Sequence, residues 1–478
     1  MARPLGRRRL SQGVLGGMGT KQVKRLLLAS VVALAFLGVP RDARAQQRQP
    51  APTPVVAPQL GATQTAAPAL PTPTPLPFDG VTAEATARQT FFKHGLLVET
   101  AAGDPIIEQG ADQAFNPASA VKLATALHAL RTLGPQHRFP TAVWITGTFD
   151  RATGTVTGDM IISGRDPSFH YQHGVALARE LNLLGVRTVT GDLVVAPKFT
   201  MNFGSSAQRS GERLYDTLDA TRRPAAAARA WSDERIALSD QESLLTTPSV
   251  AVMGAVYVDS VPAGAQLLLT HRSSTLTDIL KVLLCYSNNF MAERLGDTLG
   301  GVYGLERFLT TEMEIPAGEV RLSSTSGLGV NRLSPRSMLK VYRALMEELG
   351  ESGLNGSDIL PVAGIDPGTL QKRFALHPSR GSIIGKTGTL IRTDGGASAL
   401  VGHLRTRGGE TLYFVIFNQR GSVGRFRREQ DQLLYDLQLS RGGPAQFPYS
   451  PHSLAMRLAD TESQAAKANS DEFEPEAN

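Results

Sequence analysis

Between Asn116 and Leu130 the chain reads NPASAVKLATALHAL, a helix-length run with a single charged side chain, Lys122. The next charge is Arg131. A helix that is apolar nearly all round has no solvated face and packs inside a core. A lysine carried into that core, with no carboxylate nearby in sequence, is costly unless it sheds its proton or meets a special partner. Ser119 stands three residues before it, and positions i and i+3 share a helix face. The hydroxyl and the amine are therefore expected within hydrogen-bond reach. Serine is a weak nucleophile that needs a base, and an ordinary lysine, with a pKa of ~10.4, is neutral in only about one molecule in 2,500 at pH 7. Burial and a neighbouring cation both lower that value. In the first turn of the helix, backbone N–H groups and the positive end of the dipole also lie where an oxyanion would form. The segment thus constrains fold and chemistry together: a buried helix that offers a serine nucleophile with a lysine base.

A lone Ser-x-x-Lys arises about once or twice by chance in a chain of this length, so its weight comes from two further elements. Ser287-Asn288-Asn289 follows the apolar stretch Ile279–Cys285 and precedes a helical run through Met291 and Leu295. Lys386-Thr387-Gly388, followed by Thr389, lies on a predicted strand. Taken singly, the first reads as a helix N-cap and the second as a strand-edge turn. Together with Ser119 and Lys122 they supply a second hydroxyl, an amide and a cation on a strand edge, the set found in serine acyl-transfer sites of the penicillin-binding and β-lactamase type.

The rest of the chain frames this set. Lys21, Lys24 and Arg25 precede an apolar run from Leu26 to Val39, and Ala43-Arg44-Ala45 has the small-x-small cleavage pattern, so residues 1–45 are expected to be a cleaved signal peptide rather than a short membrane anchor. Residues 46–78, dense in Pro, Ala, Thr and Gln, read as a linker. Leu96–Val98 and Pro105–Ile107 form an expected hairpin, and GSIIGKTGTLI, GASALVGHLRT and ETLYFVIFN three strands of a meander. Phe426–Leu439 is expected to be a helix with Leu433, Leu434 and Leu437 facing inward. Strands at both ends with helices between predict an antiparallel sheet closed by the first and last segments and covered by helices. TAVWITGTFD, TVTGDMIISG and TVTGDLVVAP mark a strand-rich insertion over 139–270, within which 207–246 shows no clear pattern. That leaves 79–138 and 271–445 for the catalytic domain and 446–478 as a polar, disordered tail. A net charge of +6 spread along 478 residues, without a basic stripe, argues against nucleic acid. Cys285, the single cysteine, excludes a disulfide framework and reads as a small buried residue. His128 reads as a packed core histidine, and the nine histidines show no metal-ligand spacing.

The motifs FNPASAVKLATA, SGRDPSF…GVRTVTGDLVV, SNNFMAERLG, LPVAGIDPGTLQKR and GKTGTL resemble, in content and in order, the D-alanyl-D-alanine carboxypeptidase/endopeptidase branch of penicillin-binding proteins, over roughly Ala87 to Ser440. The resemblance implies an α/β (α+β) fold: a β-lactamase/transpeptidase-like domain with an antiparallel sheet flanked by helices, plus the strand-rich inserted domain. It implies that Ser119 forms the acyl-enzyme, that Lys122 takes its proton, and that Ser287 and Asn289 relay a proton and bind the peptide amide. Lys386 and Thr387 then hold the substrate carboxylate, Gly388 lets the substrate lie along the strand, and the N–H groups of Ser119 and Thr389 form the oxyanion hole. Asp166, in the Gly-x-Asp-Pro-Ser turn, is expected to meet a free amine on the third residue of the stem peptide. Lys386 is expected to help hold Lys122 neutral. The implied enzyme acts on peptidoglycan peptides in the periplasm or outside the cell, needs no metal or organic cofactor, and is inhibited by β-lactam antibiotics. A β-lactamase-type hydrolase and a non-catalytic wall-binding protein are the alternatives. Glu351-Ser352-Gly353-Leu354-Asn355 mimics a β-lactamase deacylation element but falls too near Lys386 to serve as one. Ser324-Thr325-Ser326-Gly327-Leu328 stands where the family usually has Asp-Gly-Ser-Gly-Leu.

Overall fold

A computed structural model describes residues 94–466. The expected signal peptide and linker lie outside the described residues. The central sheet has five strands, in the spatial order Ile383–Leu390, Ala397–Arg405, Thr411–Gln419, His94–Thr100 and Pro105–Gln109. Every neighbouring pair is antiparallel, and the first strand of the described chain pairs with the last strand of the meander, Leu96 opposite Ile416. Side chains alternate between two apolar layers, as a period of two requires. Leu97, Ile384, Ala399, Val401, Val415 and Phe417 face the buried helices, whereas Val98, Ile383, Leu400, Leu404, Phe414 and Ile416 face Leu434 and Leu437 of the Val423–Leu439 helix. Leu433 packs on that second layer half-buried.

A single 3₁₀ turn, Ala118–Ala120, leads into the helix Val121–Leu133, which is buried at nine positions including Lys122. Its neighbours begin where local caps allow. Thr275 accepts from the Asp278 N–H to start Leu276–Tyr286, Asn288 accepts from the Met291 N–H to start Asn289–Thr298, and Ser334 accepts from the Ser337 N–H to start Pro335–Glu351. The Leu276–Tyr286 helix ends at Ser287, whose left-handed backbone (φ 55°) turns the chain directly into the next helix. Cys285, buried on that helix, has its thiol pushed up to about 12 by burial. His128 stacks on Phe308, with ring centroids 4.5 Å apart. Asn355, the end of the β-lactamase mimic, caps the short helix Gly356–Ile359.

Each of the three alternating segments between residues 139 and 270 supplies two short strands, divided at its turn. Their longer pieces enter a six-stranded sheet, ordered Val256–Val258, Leu193–Val195, Met160–Gly164, Pro140–Ile145, Gln266–Arg272 and Glu462–Ala465; the shorter pieces join a four-stranded one. The pairing is mixed: Leu193–Val195 runs parallel to both its neighbours. The stretch 207–246 is helical, with Ala207–Leu218 and Ala225–Ala237. Its inward face carries Ser210, Gly211 and Thr217 beside Leu214 and Leu218, so no apolar stripe announces it. Gly211 is needed there, because a Cβ would come within 2.9 Å of Val195.

The tail expected to be disordered from residue 446 is instead ordered through residue 466. Leu454–Ala459 forms a helix and Glu462–Ala465 adds an edge strand to Gln266–Arg272. Leu454 and Leu458 enter the main core, with Phe447 and Tyr449 packed against it, and specific contacts add to that burial. The Tyr449 hydroxyl donates to Asp366 (2.7 Å), Arg457 pairs with Asp278 (2.7 Å), and the Leu458 carbonyl meets His173 Nε2 (3.0 Å).

Candidate active site

The turn that presents Ser119 is held from three sides. Ala118 has a left-handed backbone, φ 47°, uncommon for a residue with a Cβ. Asn116 stabilises it by accepting from the Ala118 N–H (3.0 Å), while its amide donates to the Gly329 carbonyl (3.0 Å) and to Asp394 (2.8 Å). Arg332 fixes Asp394 through two bonds of 2.9 Å. Two glycines make room on the other sides. A Cβ on Gly327 would collide with the Ala118 carbonyl, and one on Gly388 would lie 2.5 Å from the Pro117 oxygen. Gly388 therefore has a packing reason of its own, because it lets the Ile383–Leu390 strand close on the nucleophile turn.

Lys122 is fully buried. Its Nζ is 3.2 Å from Ser119 Oγ, 2.7 Å from Asn289 Oδ1 and 2.6 Å from the Ser326 carbonyl. Burial pulls the amine from 10.5 down to about 7, and the carboxylate of Glu293 works against that fall. Glu293 also accepts from Thr325 Oγ1 (2.9 Å) and the Ser326 N–H (3.1 Å), so it shapes the turn whose carbonyl Lys122 binds.

Lys386 is likewise fully buried, and its Nζ donates to Ser287 Oγ (2.7 Å) and to the Thr387 carbonyl (2.6 Å). Burial, and after it the charge of Lys122, hold this amine well below the ordinary lysine value. The two amines thus act on one another, and burial is the largest cause of the fall in each.

The structure thus brings together two hydrogen-bonded sets, Ser119–Lys122–Asn289 and Lys386–Ser287, near enough for the charge of Lys122 to act on Lys386. Thr387 adjoins the second, buried on the strand. Thr389 is half-buried, and its Oγ1 accepts from Arg427 at 2.9 Å. Asp166 makes no hydrogen bond to either set among the described residues. One of its oxygens accepts from the N–H and hydroxyl of Ser168 (2.7 and 2.6 Å), and the other is buried without a partner. Burial pushes the carboxyl up to about 6.

The D-Ala-D-Ala carboxypeptidase 3 (S13) family matches residues 90–229 and 217–435. The chain belongs to this family. It is a serine-type D-Ala-D-Ala carboxypeptidase, a hydrolase. It is 28% identical to a D-alanyl-D-alanine carboxypeptidase of Actinomadura sp. over 426 residues, covering 68% of this chain and 77% of the other. It is 28% identical to the carboxypeptidase DacB of Mycolicibacterium smegmatis over 435 residues, covering 84% and 93%. The fold is that of a predatory peptidoglycan endopeptidase of Bdellovibrio bacteriovorus (TM-score 0.64, 20% identity, 78% of this chain and 99% of that one). It is shared with penicillin-binding protein 4 of Haemophilus influenzae (TM-score 0.52, 22% identity, 72% and 96%).

Within this S13 chain, sequence reasoning missed Asn116, Glu293 and Ser326, which shape the surroundings of Ser119 and Lys122, and Arg427, which bonds Thr389. The first three fall inside or beside motifs that drew attention for other residues. Arg427 had no signal, since it is one of several arginines on a polar helix.

Proposed function

We propose that Ser119 is the acylated nucleophile and Lys122 its general base in the cleavage of peptidoglycan stem peptides. The observation that carries this is the neutralisable amine of Lys122, 3.2 Å from the Ser119 hydroxyl in a site that depresses its pKa to about 7. Neutral Lys122 takes the Ser119 proton as Oγ bonds to the carbonyl carbon of the penultimate D-alanine. The oxyanion is met by the N–H groups of Ser119 and Thr389. Ser287 accepts its hydrogen bond from Lys386, which leaves its own proton available. As the C–N bond breaks, that proton passes to the departing amine, and the proton taken up by Lys122 replaces it on Ser287, while Asn289 binds the peptide amide. Water then attacks the acyl-enzyme with Lys122 again as base, releasing the shortened peptide and returning the proton to Ser119.

Lys386 and Thr387 support the substrate carboxylate in this reading. An arriving anion favours the charged form of a lysine that burial otherwise keeps neutral. Asp166 offers its unpartnered oxygen to an amine on the stem peptide, a cation that would offset the burial of the carboxylate. The same chemistry serves a carboxypeptidase and an endopeptidase, because both open a D-alanyl carbonyl, and it admits β-lactams as acylating inhibitors. We place the enzyme in the periplasm or outside the cell, with Gln46 as the first residue after signal cleavage. Among the described residues no helix is long and apolar enough to cross a membrane.

Release of D-alanine from an N-acylated peptide ending in D-Ala-D-Ala tests the reading. Turnover by the wild type and none by Ser119→Ala supports it. Rapid hydrolysis of penicillin without peptide turnover points to the β-lactamase reading, and binding without turnover to the non-catalytic one.

A further inference from the structure

Three segments that touch the reacting groups meet at one buried side chain, Asn116. The first is the nucleophile turn, where Asn116 Oδ1 accepts from the Ala118 N–H (3.0 Å) and holds Ala118 left-handed, one residue before Ser119. The second is the turn 323–329, whose Ser326 carbonyl binds Lys122; the Asn116 amide donates to its Gly329 carbonyl (3.0 Å). The third is the loop 391–396, which follows the Ile383–Leu390 strand; the same amide donates to Asp394 Oδ2 (2.8 Å).

Arg332 ties the second segment to the third. Its two terminal nitrogens each reach a different oxygen of Asp394 at 2.9 Å, the paired geometry of an arginine–carboxylate fork. It also donates to the Asn331 carbonyl (2.8 Å). Asn331 in turn shapes the 323–329 turn, accepting from the Ser323 N–H (2.8 Å) and donating to the Leu328 carbonyl (3.1 Å). Burial acts against the charge of Asp394, but the bonds from Arg332 and Asn116 outweigh it and hold the carboxyl below its ordinary value.

The loop is longer than its strands require. A two-residue turn suffices to join antiparallel strands, yet here residues 391–396 intervene between Leu390 and its partner Ala397. Asp394, Gly395 and Gly396 all have positive φ (53°, 65° and 96°). Left-handed backbone at a residue with a Cβ persists only where its surroundings over-determine it, and such positions cluster at functional sites. Filling the core does not explain the contact, because the side chains of Arg332 and Asp394 remain 31% and 18% exposed. Partly exposed ion pairs add little to stability. What this pair does is fix three pieces of the active site against one another.

We infer that Asp394 and Arg332 are positioning residues of the acylation step, acting through Asn116 to keep Ser119, the Ser326 carbonyl behind Lys122 and the strand end carrying Thr389 in register. The inference rests on the proposed roles of Ser119 and Lys122.

The test follows acylation by a fluorescent penicillin in wild type, Arg332→Ala, Asp394→Ala and the double variant. Saturation kinetics separate the acylation rate constant from the affinity of the first, non-covalent complex. Each single variant is expected to lower the rate constant about 10- to 100-fold, the scale of an ångström of misplacement, and to leave the affinity within about threefold. The double variant is expected to be no slower than the slower single one, because both act through one contact. Arg332→Lys keeps the charge without the fork and is expected to fall between, which retains the test if an alanine variant does not fold. An unchanged rate constant, a loss confined to affinity, or losses that multiply in the double variant overturns the inference. If the wild type is not acylated at all, the proposed function fails instead. Hydrogen exchange of the peptide spanning 116–122 then decides the inference: faster exchange in Arg332→Ala than in wild type supports it, and equal exchange overturns it.

Discussion

Raising the pH from 5 to 9 is expected to switch on the acylation of Ser119 with a midpoint of about 7. The reasoning starts from Lys122, fully buried, with its amine lowered from 10.5 to about 7 by that burial. A base acts only when unprotonated. With a midpoint of 7, about a tenth of the molecules carry a neutral Lys122 at pH 6, half at pH 7 and about nine-tenths at pH 8. An unburied lysine would be neutral in only about one molecule in 2,500 at pH 7, so the burial raises the active fraction roughly a thousandfold. The same displacement is worth about 5 kcal/mol, at about 1.4 kcal/mol per pH unit, and it has a sign for stability. Between about 7 and 10.5 the folded chain has released a proton that the unfolded chain still binds, so this contribution to stability increases with pH across that window and is flat below it. The assay is stopped-flow acylation by a fluorescent penicillin under pseudo-first-order conditions, with thermal unfolding at each pH to separate reactivity from folding. A slope-one acid limb centred near 7 is expected. A midpoint above about 9, or a rate flat from pH 6 to 8, would refute a neutral Lys122 as the base.

Three further outcomes follow from the contacts around the cluster. Glu293→Gln removes the carboxylate that opposes the fall in the Lys122 pKa, so the acid limb should move to lower pH while the amide still accepts from the Ser326 N–H; an unmoved limb in stopped-flow acylation contradicts this. Gly388→Ala places a methyl 2.5 Å from the Pro117 oxygen and should displace the nucleophile turn, lowering acylation about 100-fold with unfolding little changed; full activity would mean the strand can yield. Asp366→Asn leaves Lys281, which is buried and bonded to two carbonyls, without its carboxylate, and should cost about 3–5 kcal/mol in urea unfolding; a loss below about 1 kcal/mol would place that pair among weak, solvated ones.

How much of this was legible in the sequence depended on how local each signal was. Ser119 and Lys122 declare themselves within a few residues, because an apolar helix leaves a lysine nothing but a special partner. The strands around Lys386 follow from short-range alternation and turns in the same way. Asn289 was legible as part of a motif, but its bond to Lys122 spans 167 positions. Glu293 and Ser326 act on Lys122 only once two distant segments meet, and no local pattern encodes that meeting. The Ala207–Leu218 helix stayed hidden because it packs through Gly211 and small hydroxyls. The segment 446–466 looked too polar to order, yet a strand edge and a few anchoring side chains hold it.

The central claim, that Ser119 is the nucleophile of a serine D-Ala-D-Ala carboxypeptidase, is tested most directly by mass spectrometry of the mature protein after reaction with benzylpenicillin, alongside Ser119→Ala. The account predicts a stable adduct of one penicillin on the wild type, mapped to the peptide containing Ser119, and none on the variant. An adduct that persists in Ser119→Ala, or that maps to another residue, would contradict it.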